Sequence, residues 1–281
     1  MGIFSGLKNL GLGNLEGLNL FEDTQKETVK RAASVPAEPP KPQEKDLIYD
    51  RSFSCPVCDS SFTAKIMKSN KARLIGTDPD LRARYEGIDA VKYDVVMCPV
   101  CAYAALIRFF PNVTTNQAKL IKEKISQVVR FTPYNGEIYS YEEAIERYKL
   151  ALVCALVKHS KSSEKAYLCL RNAWLLRGYA ESLKEENPEN TRIAELRDQE
   201  EELLSNAYKG FKDARQSESF PICGMNTVTF DYLLAVLAVH FKEYDMAGRL
   251  LGAVLMSSGA NARIKDRARE LKNQIAQEMK K

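Results

Sequence analysis

Two short stretches of the chain carry almost the same pattern of cysteines. CPVCDSSF occupies residues 55–62 and CPVCAYAA occupies residues 98–105, with 39 residues between the two inner cysteines. Two thiolates separated by two residues converge on one metal ion from a single tight turn, and proline after the first cysteine stiffens that turn. The repeat therefore predicts the two halves of one tetrahedral four-thiolate cage. Its expected ligands are Cys55, Cys58, Cys98 and Cys101.

Four thiolates favour one structural Zn2+ ion per chain, with Zn–S distances of ~2.3 Å. Iron in a rubredoxin-like site uses the same ligands. It is less favoured because such knuckles usually carry glycine after the second cysteine, where Asp59 and Ala102 stand here. Dithiol redox chemistry is weaker still, because each cysteine pair would hold the other in the metal cage. A closed cage leaves no coordination position for water, so hydrolytic metal chemistry is disfavoured.

The other residues that could carry chemistry do not form a catalytic motif. His159 and His240 lie outside any H-x-E or H-E-x-x-H pattern, and the sequence has no Gly-rich phosphate loop and no G-x-S-x-G elbow. The longest strongly apolar stretch, residues 233–240, is far shorter than the roughly 20 residues of a membrane-spanning helix. The odd, partly clustered cysteine count favours metal binding in a reducing compartment. We expect a cytoplasmic protein without catalytic activity and without a transmembrane segment.

Changes in composition and residue pattern divide the chain into three parts. Residues 1–45 combine a Gly/Leu-rich stretch with the Pro-rich VPAEPPKPQEKD, which predicts a flexible tail and linker. Residues 46–111 contain short β-like runs around the cysteines, which predicts a small zinc-ribbon (rubredoxin-like) β module with its clearest strand at 93–98. Residues 112–281 are predicted to be helical. Helix starts are expected at Thr114, at Ser140, and near Ser163, Thr191, Asn226 and Asn261.

The helical part repeats one spacing of small and large residues. Three sets stand at i, i+4 and i+7, namely Ala144, Tyr148, Ala151; Ala207, Phe211, Ala214; and Ala247, Leu251, Val254. Small residues at close helix crossings, with large ones in the adjacent gaps, are typical of stacked antiparallel hairpins. We therefore predict a mostly α fold of TPR-like (tetratricopeptide-repeat-like) antiparallel hairpins behind the β module. A generic bundle of amphipathic helices is the alternative.

Only the last of these units keeps the full TPR register. Ala235 lies 12 residues before Ala247, where that repeat places its small first-helix residue, whereas separations of 63 and 40 residues between the three sets are irregular. The final hairpin is expected at about 227–258. An apolar stripe at Ile264, Ala268, Leu271 and Ile275 predicts that helix 261–280 covers this hairpin as an end cap.

The run from Cys55 to Ala105, with TDPDLRARY and KYDVVMCPVCAYAA, and the later LRNAWLLRGY resemble the bacterial domain-of-unknown-function family numbered 2225. The similarity covers most of residues 46–260. Members of that family pair a double-CPxC module with a TPR-like helical region, which implies the same two-part architecture here. The family's second knuckle commonly reads CGYA, whereas Ala102 follows the last ligand in this chain. The family has no assigned activity, so the resemblance implies architecture without chemistry.

Two functions are compatible with these features. The first is a non-catalytic protein-protein interaction protein, an adaptor or scaffold whose partner the sequence does not identify. The second is a nucleic-acid-binding zinc-ribbon protein that contacts phosphates through the basic insertion between the knuckles. The candidate contacts are Lys65, Lys68, Lys71, Arg73, Arg82 and Arg84. The net charge of +4, from 41 basic and 37 acidic residues, favours the first function.

Overall fold

The computed structural model describes residues 42–129 and 134–279. These residues belong to one compact unit that extends from Lys41 to Lys281. The predicted tail and linker, residues 1–45, lie almost entirely outside the described residues. Where the described part begins, Glu44 is already packed, because its carboxylate lies 2.6 Å from the ammonium group of Lys92.

Three antiparallel strand pairs form the first part of the described chain. They are β1 (Ile48–Ser54) with β2 (Ser61–Met67), β3 (Leu74–Thr77) with β4 (Ala83–Tyr85), and β5 (Val95–Met97) with β6 (Ala104–Leu106). The first CPVC sequence forms the turn between β1 and β2, and the second forms the turn between β5 and β6. Each knuckle is therefore the tip of a β-hairpin. The strand predicted at 93–98 is present as the shorter β5, because Ala90–Tyr93 form a 3-10 turn before it.

Seven α-helices follow in the described part of the chain, so the mostly α fold with a small β module is confirmed. They are α1 (Thr115–Ile121), α2 (Tyr141–Val157), α3 (Ser162–Glu186), α4 (Arg192–Ser217), α5 (Thr227–His240), α6 (Tyr244–Met256) and α7 (Ala262–Glu278). Four of the predicted caps are present. The side chains of Thr114, Ser140, Asn226 and Asn261 each accept a hydrogen bond from the backbone N–H three residues later. None of these seven helices is long and apolar enough to cross a membrane.

The repeated small and large residues lie at the helix contacts. All nine of them, together with Ala235, are 0–1% exposed. Gly210 of α4 faces α3 so closely that a Cβ atom there would lie 2.9 Å from the Cβ of Ala166. Helix α7 buries Ala268 and Ile275 against its neighbours, as its apolar stripe predicts. The spacing therefore identifies the surfaces on which the helices meet.

The cysteine hairpins and the helices share one hydrophobic core. A continuous cluster of buried residues runs from Cys55 in the first knuckle to Ile275 in α7. Within it, the ring of Phe110 lies 5.0 Å from the ring of Tyr103 and 6.0 Å from that of Phe53, which joins the second hairpin to the first. Ala104 of β6 packs on α2, where its N–H lies 3.5 Å from the sulfur of Cys154. The two parts of the chain are thus stabilised together.

The insertion between the knuckles is held on α3 by buried ion pairs. The indole N–H of Trp174 donates to Asp80 over 2.8 Å, and Arg177 lies 2.8 Å from the same carboxylate. Arg82, which is 5% exposed, pairs with Glu181 of α3 over 3.0 Å and with Asp89 of the insertion. Trp174 is 3% exposed, as expected for a core residue. Removing one member would leave a buried charge without its partner, so these pairs fix the position of the insertion.

Gly178 of α3 gives a direct test of this packing. A Cβ atom at this position would lie 2.1 Å from the Asp89 carboxylate and 2.6 Å from an Arg82 nitrogen. We expect Gly178→Ala to lower the free energy of unfolding by about 1–3 kcal/mol, because the ion pair must move out of its buried place. Urea denaturation of the purified protein measures the change.

The matched control is Gly248→Ala in α6, where a Cβ atom would meet nothing within 4 Å. We expect this variant to be unchanged or more stable by up to about 1 kcal/mol, because alanine favours the helix more than glycine does. Equal effects of the two substitutions would contradict the close approach of the insertion to α3.

Candidate metal centre

The two knuckles have the same backbone hydrogen bonds. The N–H of Cys55 donates to the carbonyl of Ser60 over 2.9 Å, and that of Cys98 donates to the carbonyl of Tyr103 over 2.8 Å. In the tighter turn inside each knuckle, the N–H of Asp59 donates back to Cys55 and that of Ala102 donates back to Cys98. Two equivalent turns thus present their cysteines to each other.

The four cysteine sulfurs converge at the point where the hairpin tips meet. All four lie within 4.8 Å of one another. The nearest pairs cross between the knuckles, at 3.5 Å for Cys55 and Cys101 and 3.6 Å for Cys58 and Cys98. A tetrahedron with metal–sulfur bonds of ~2.3 Å has edges of about 3.8 Å, so the cluster has the size of a metal cage. Four cysteines at these distances could hold one metal ion.

Hydrogen bonds among the sulfurs shift the pKa values of two of the cysteines in opposite directions. The pKa of the Cys101 thiol is raised well above its ordinary value, because this group hydrogen-bonds with the sulfurs of Cys55 and Cys98 and is buried. The pKa of the Cys98 thiol is lowered, because the Cys101 and Cys55 thiols stabilise its thiolate by hydrogen bonding. The thiolate of Cys98 is thus stabilised by neighbouring thiols that keep their protons. A metal ion would replace these protons and allow all four thiolates to form together.

Backbone N–H groups and two serine hydroxyls lie around the cysteine knuckles. The backbone N–H groups of Val57 and Cys58 act to lower the pKa of the Cys55 thiol, because they favour its thiolate. The hydroxyl of Ser60 lies 3.0 Å from the Cys58 sulfur and 3.3 Å from that of Cys98. The hydroxyl of Ser126 donates to the carbonyl of Cys101 over 2.8 Å. The supporting roles of these two serines were not predicted, although Ser60 follows the first CPVC sequence directly and could have been noticed there.

Both residues that follow a second cysteine adopt the left-handed conformation. The φ angle is 61° at Asp59 and 58° at Ala102. The knuckle geometry is therefore kept without glycine at either position. Asp59 and Ala102 adopt the left-handed conformation although neither is glycine. The absence of glycine at these positions therefore does not distinguish a zinc site from an iron site.

The remaining cysteines lie outside the four-sulfur cluster. Burial raises the pKa of the Cys154, Cys169 and Cys223 thiols to about 11 each. Such thiols stay protonated near neutral pH, so they are poor nucleophiles and poor metal ligands.

The structure places the six predicted nucleic-acid contacts in different surroundings. Lys71 and Arg73 are exposed, whereas Lys65 and Lys68 are partly buried. Lys65 lies 3.5 Å from Asp50, and the ammonium group of Lys68 donates to a backbone carbonyl. The positive charge on this side of the insertion is therefore partly engaged within the protein.

Arg82 and Arg84 belong instead to the ion pairs that hold the insertion on α3. Arg82 lies 3.0 Å from Glu181, and Arg84 lies 2.8 Å from the same residue and 2.5 Å from Asp78. These two carboxylates raise the pKa of Arg84 through hydrogen bonds. Both guanidinium groups are bound within the protein and are not free for a phosphate.

A family model described as "Uncharacterized protein conserved in bacteria (DUF2225)" matches residues 48–275. The chain belongs to this family. The DUF2225 match begins in β1, includes both knuckles and ends in α7, so it confirms the resemblance found from CPVC, TDPDLRARY and LRNAWLLRGY. No curated protein and no solved structure shows significant similarity to the chain.

Ala102 allows a test of the knuckle geometry. We compare Ala102→Gly with Ala104→Gly, two positions later in extended β6, because both alanines are almost fully buried and each loses one methyl group. Both glycines also cost conformational entropy on folding. Only the first substitution relieves a left-handed alanine, which is unfavourable by about 1–2 kcal/mol. We expect Ala102→Gly to be the more stable of the two by about that amount in urea denaturation; equal stabilities would contradict a left-handed Ala102.

Proposed function

We propose that this DUF2225 protein is a non-catalytic zinc-binding interaction protein, an adaptor or scaffold. The observation that carries the proposal is the closure of the four-sulfur cluster. Cys55, Cys98 and Cys101 are at most 4% exposed, and four sulfurs fill every position of a tetrahedral ion. An ion held in this way has no place for a substrate or for a reactive water. Its effect is to cross-link the two hairpin tips.

Zinc is the ion that this donor set favours. Four thiolates in a tetrahedron suit Zn2+, which has no redox chemistry and no preferred geometry that would conflict with the cage. The backbone N–H groups directed at Cys55 and the hydroxyl of Ser60 stabilise negative charge on the sulfurs, as structural zinc knuckles require. Iron is the less favoured alternative.

The helical part supports the interaction role. Helices α5 and α6 form a hairpin in which Ala235 and Ala247 are fully buried, in the register of a TPR unit. We propose that these hairpins stack in a TPR-like array, an architecture that commonly presents surfaces to protein partners. The nucleic-acid alternative has less support, because Arg82 and Arg84 are bound to carboxylates of the protein itself.

The metal proposal predicts one zinc ion per chain in reduced, freshly purified protein. We expect the double variant Cys98→Ser, Cys101→Ser to lose this zinc, because it removes half of the ligands. Inductively coupled plasma mass spectrometry of wild type and variant measures the ratio. The control is Cys169→Ser, which lies outside the cluster and should keep one zinc. Stoichiometric iron, or full zinc in the double variant, would contradict the proposal.

The interaction role is tested by purifying the tagged full-length protein from its native cells at low and high salt, with and without nuclease. We expect a defined protein partner that remains bound after nuclease treatment, because the array offers a protein-binding surface. Recovery of nucleic acid would favour the alternative instead. Binding to it should then fall steeply with salt and weaken further in a Lys71→Glu, Arg73→Glu variant, whose two residues are exposed.

A further inference from the structure

A cavity of about 240 Å3 lies beside the second knuckle, outside the metal cluster. Strand β2, the knuckle and helix α2 border it. Two cations, Lys65 and Arg147, line it together with the aromatic side chains of Tyr134 and Tyr139 and the amide of Asn135. The lining of the cavity is therefore polar and combines two cationic side chains with two aromatic ones.

Arg147 is the most informative residue in this cavity. The residue is 6% exposed, and its Nε–H donates to Glu143 over 2.7 Å. Its guanidinium carbon lies 4.1 Å from the centre of the Tyr139 ring, which fixes the plane of the group. Within the described residues, no protein acceptor lies within hydrogen-bonding distance of the Nη1 and Nη2 groups. Because Arg147 lines the cavity, these donors are available to a molecule that enters it.

Lys65 supplies the second positive charge. Its ammonium group lies 3.5 Å from Asp50, whose side chain is 61% exposed, so this ion pair is long and screened by water. Its backbone N–H contacts the hydroxyl of Tyr139 at 3.2 Å, which places both cations around the same tyrosine. Asp50 pairs with Lys65 and Glu143 pairs with Arg147, so the site offers directed donors from two cations and has no net charge.

We propose that this cavity binds a small phosphate group, as inorganic phosphate or as a compact phosphate monoester. The paired Nη groups of a fixed arginine match two oxygens of a phosphate, and a nearby ammonium group adds a second, non-directional charge. The hydroxyl of Thr63 and the amide of Asn135 also line the cavity and offer further donors. A volume of 240 Å3 lies below the roughly 300–1,000 Å3 of sites for drug-sized ligands, so the occupant is small.

The test is isothermal titration calorimetry of the full-length, metal-loaded protein with inorganic phosphate and with phenyl phosphate. We expect a Kd of about 1 mM or tighter for at least one of them. Arg147→Gln and Lys65→Gln should each weaken binding about tenfold or more, because each removes a charged partner of the anion. The control is Arg192→Gln, an exposed arginine in an i,i+3 pair with Glu195, which should bind as the wild type does.

The two ligands distinguish the sources of the phosphate group. Tighter binding of phenyl phosphate indicates a phosphate monoester that uses the tyrosine walls, whereas equal or weaker binding indicates free phosphate; both outcomes support the site. If Arg147→Gln does not fold by circular dichroism, Arg147→Lys keeps the charge without the paired donors and should still weaken binding. Absence of binding to both ligands, or equal binding in the Lys65 variant and the Arg192 control, would overturn the proposal.

Discussion

The convergence of four cysteine sulfurs from two hairpin tips is the constraint on which the first half of the described chain depends. The sulfurs come from turns that are 39 residues apart in sequence, yet they lie within 4.8 Å of one another. A metal ion at this point would close a long loop and would stabilise the folded state, in which the hairpins are fixed against each other, by its binding free energy. The same turns bury Cys98 and Cys101 in the core that continues into α2. Metal binding at this point would therefore be linked thermodynamically to helix packing.

The insertion inside that loop is held from its other side by charge. Asp80 and Arg82 are both nearly buried, and each pairs with side chains of α3. Buried ion pairs add little net stability, but a pair with one member missing is costly, so they specify a single position for the segment. Gly178 is required in α3 because no side chain fits between the helix and this ion pair. The insertion thus joins the two cysteine hairpins to the helices.

The basic residues of the insertion show why a positive stretch of sequence is a weak indicator of function. Six lysines and arginines between positions 65 and 84 suggested a surface for phosphates. Arg82 and Arg84 instead satisfy Asp78, Asp89 and Glu181. Arg147, which stands in an ordinary amphipathic helix, lines a cavity, and within residues 42–129 and 134–279 its Nη groups have no hydrogen-bond acceptor. Which cations are available to a ligand depends on the carboxylates that the fold brings to them.

The sequence by itself determined the features that depend on local spacing. The CPVC pairs predicted the four converging cysteines, the capping residues predicted where four helices begin, and the small and large residues at i, i+4 and i+7 predicted which helix faces are buried. These features follow from turn and helix geometry within a few residues. Only the tertiary structure decided the partners of Arg82, the shared core and the cavity at Arg147. Each of these depends on groups far apart in the chain, whose contacts are set by packing and not by any local pattern.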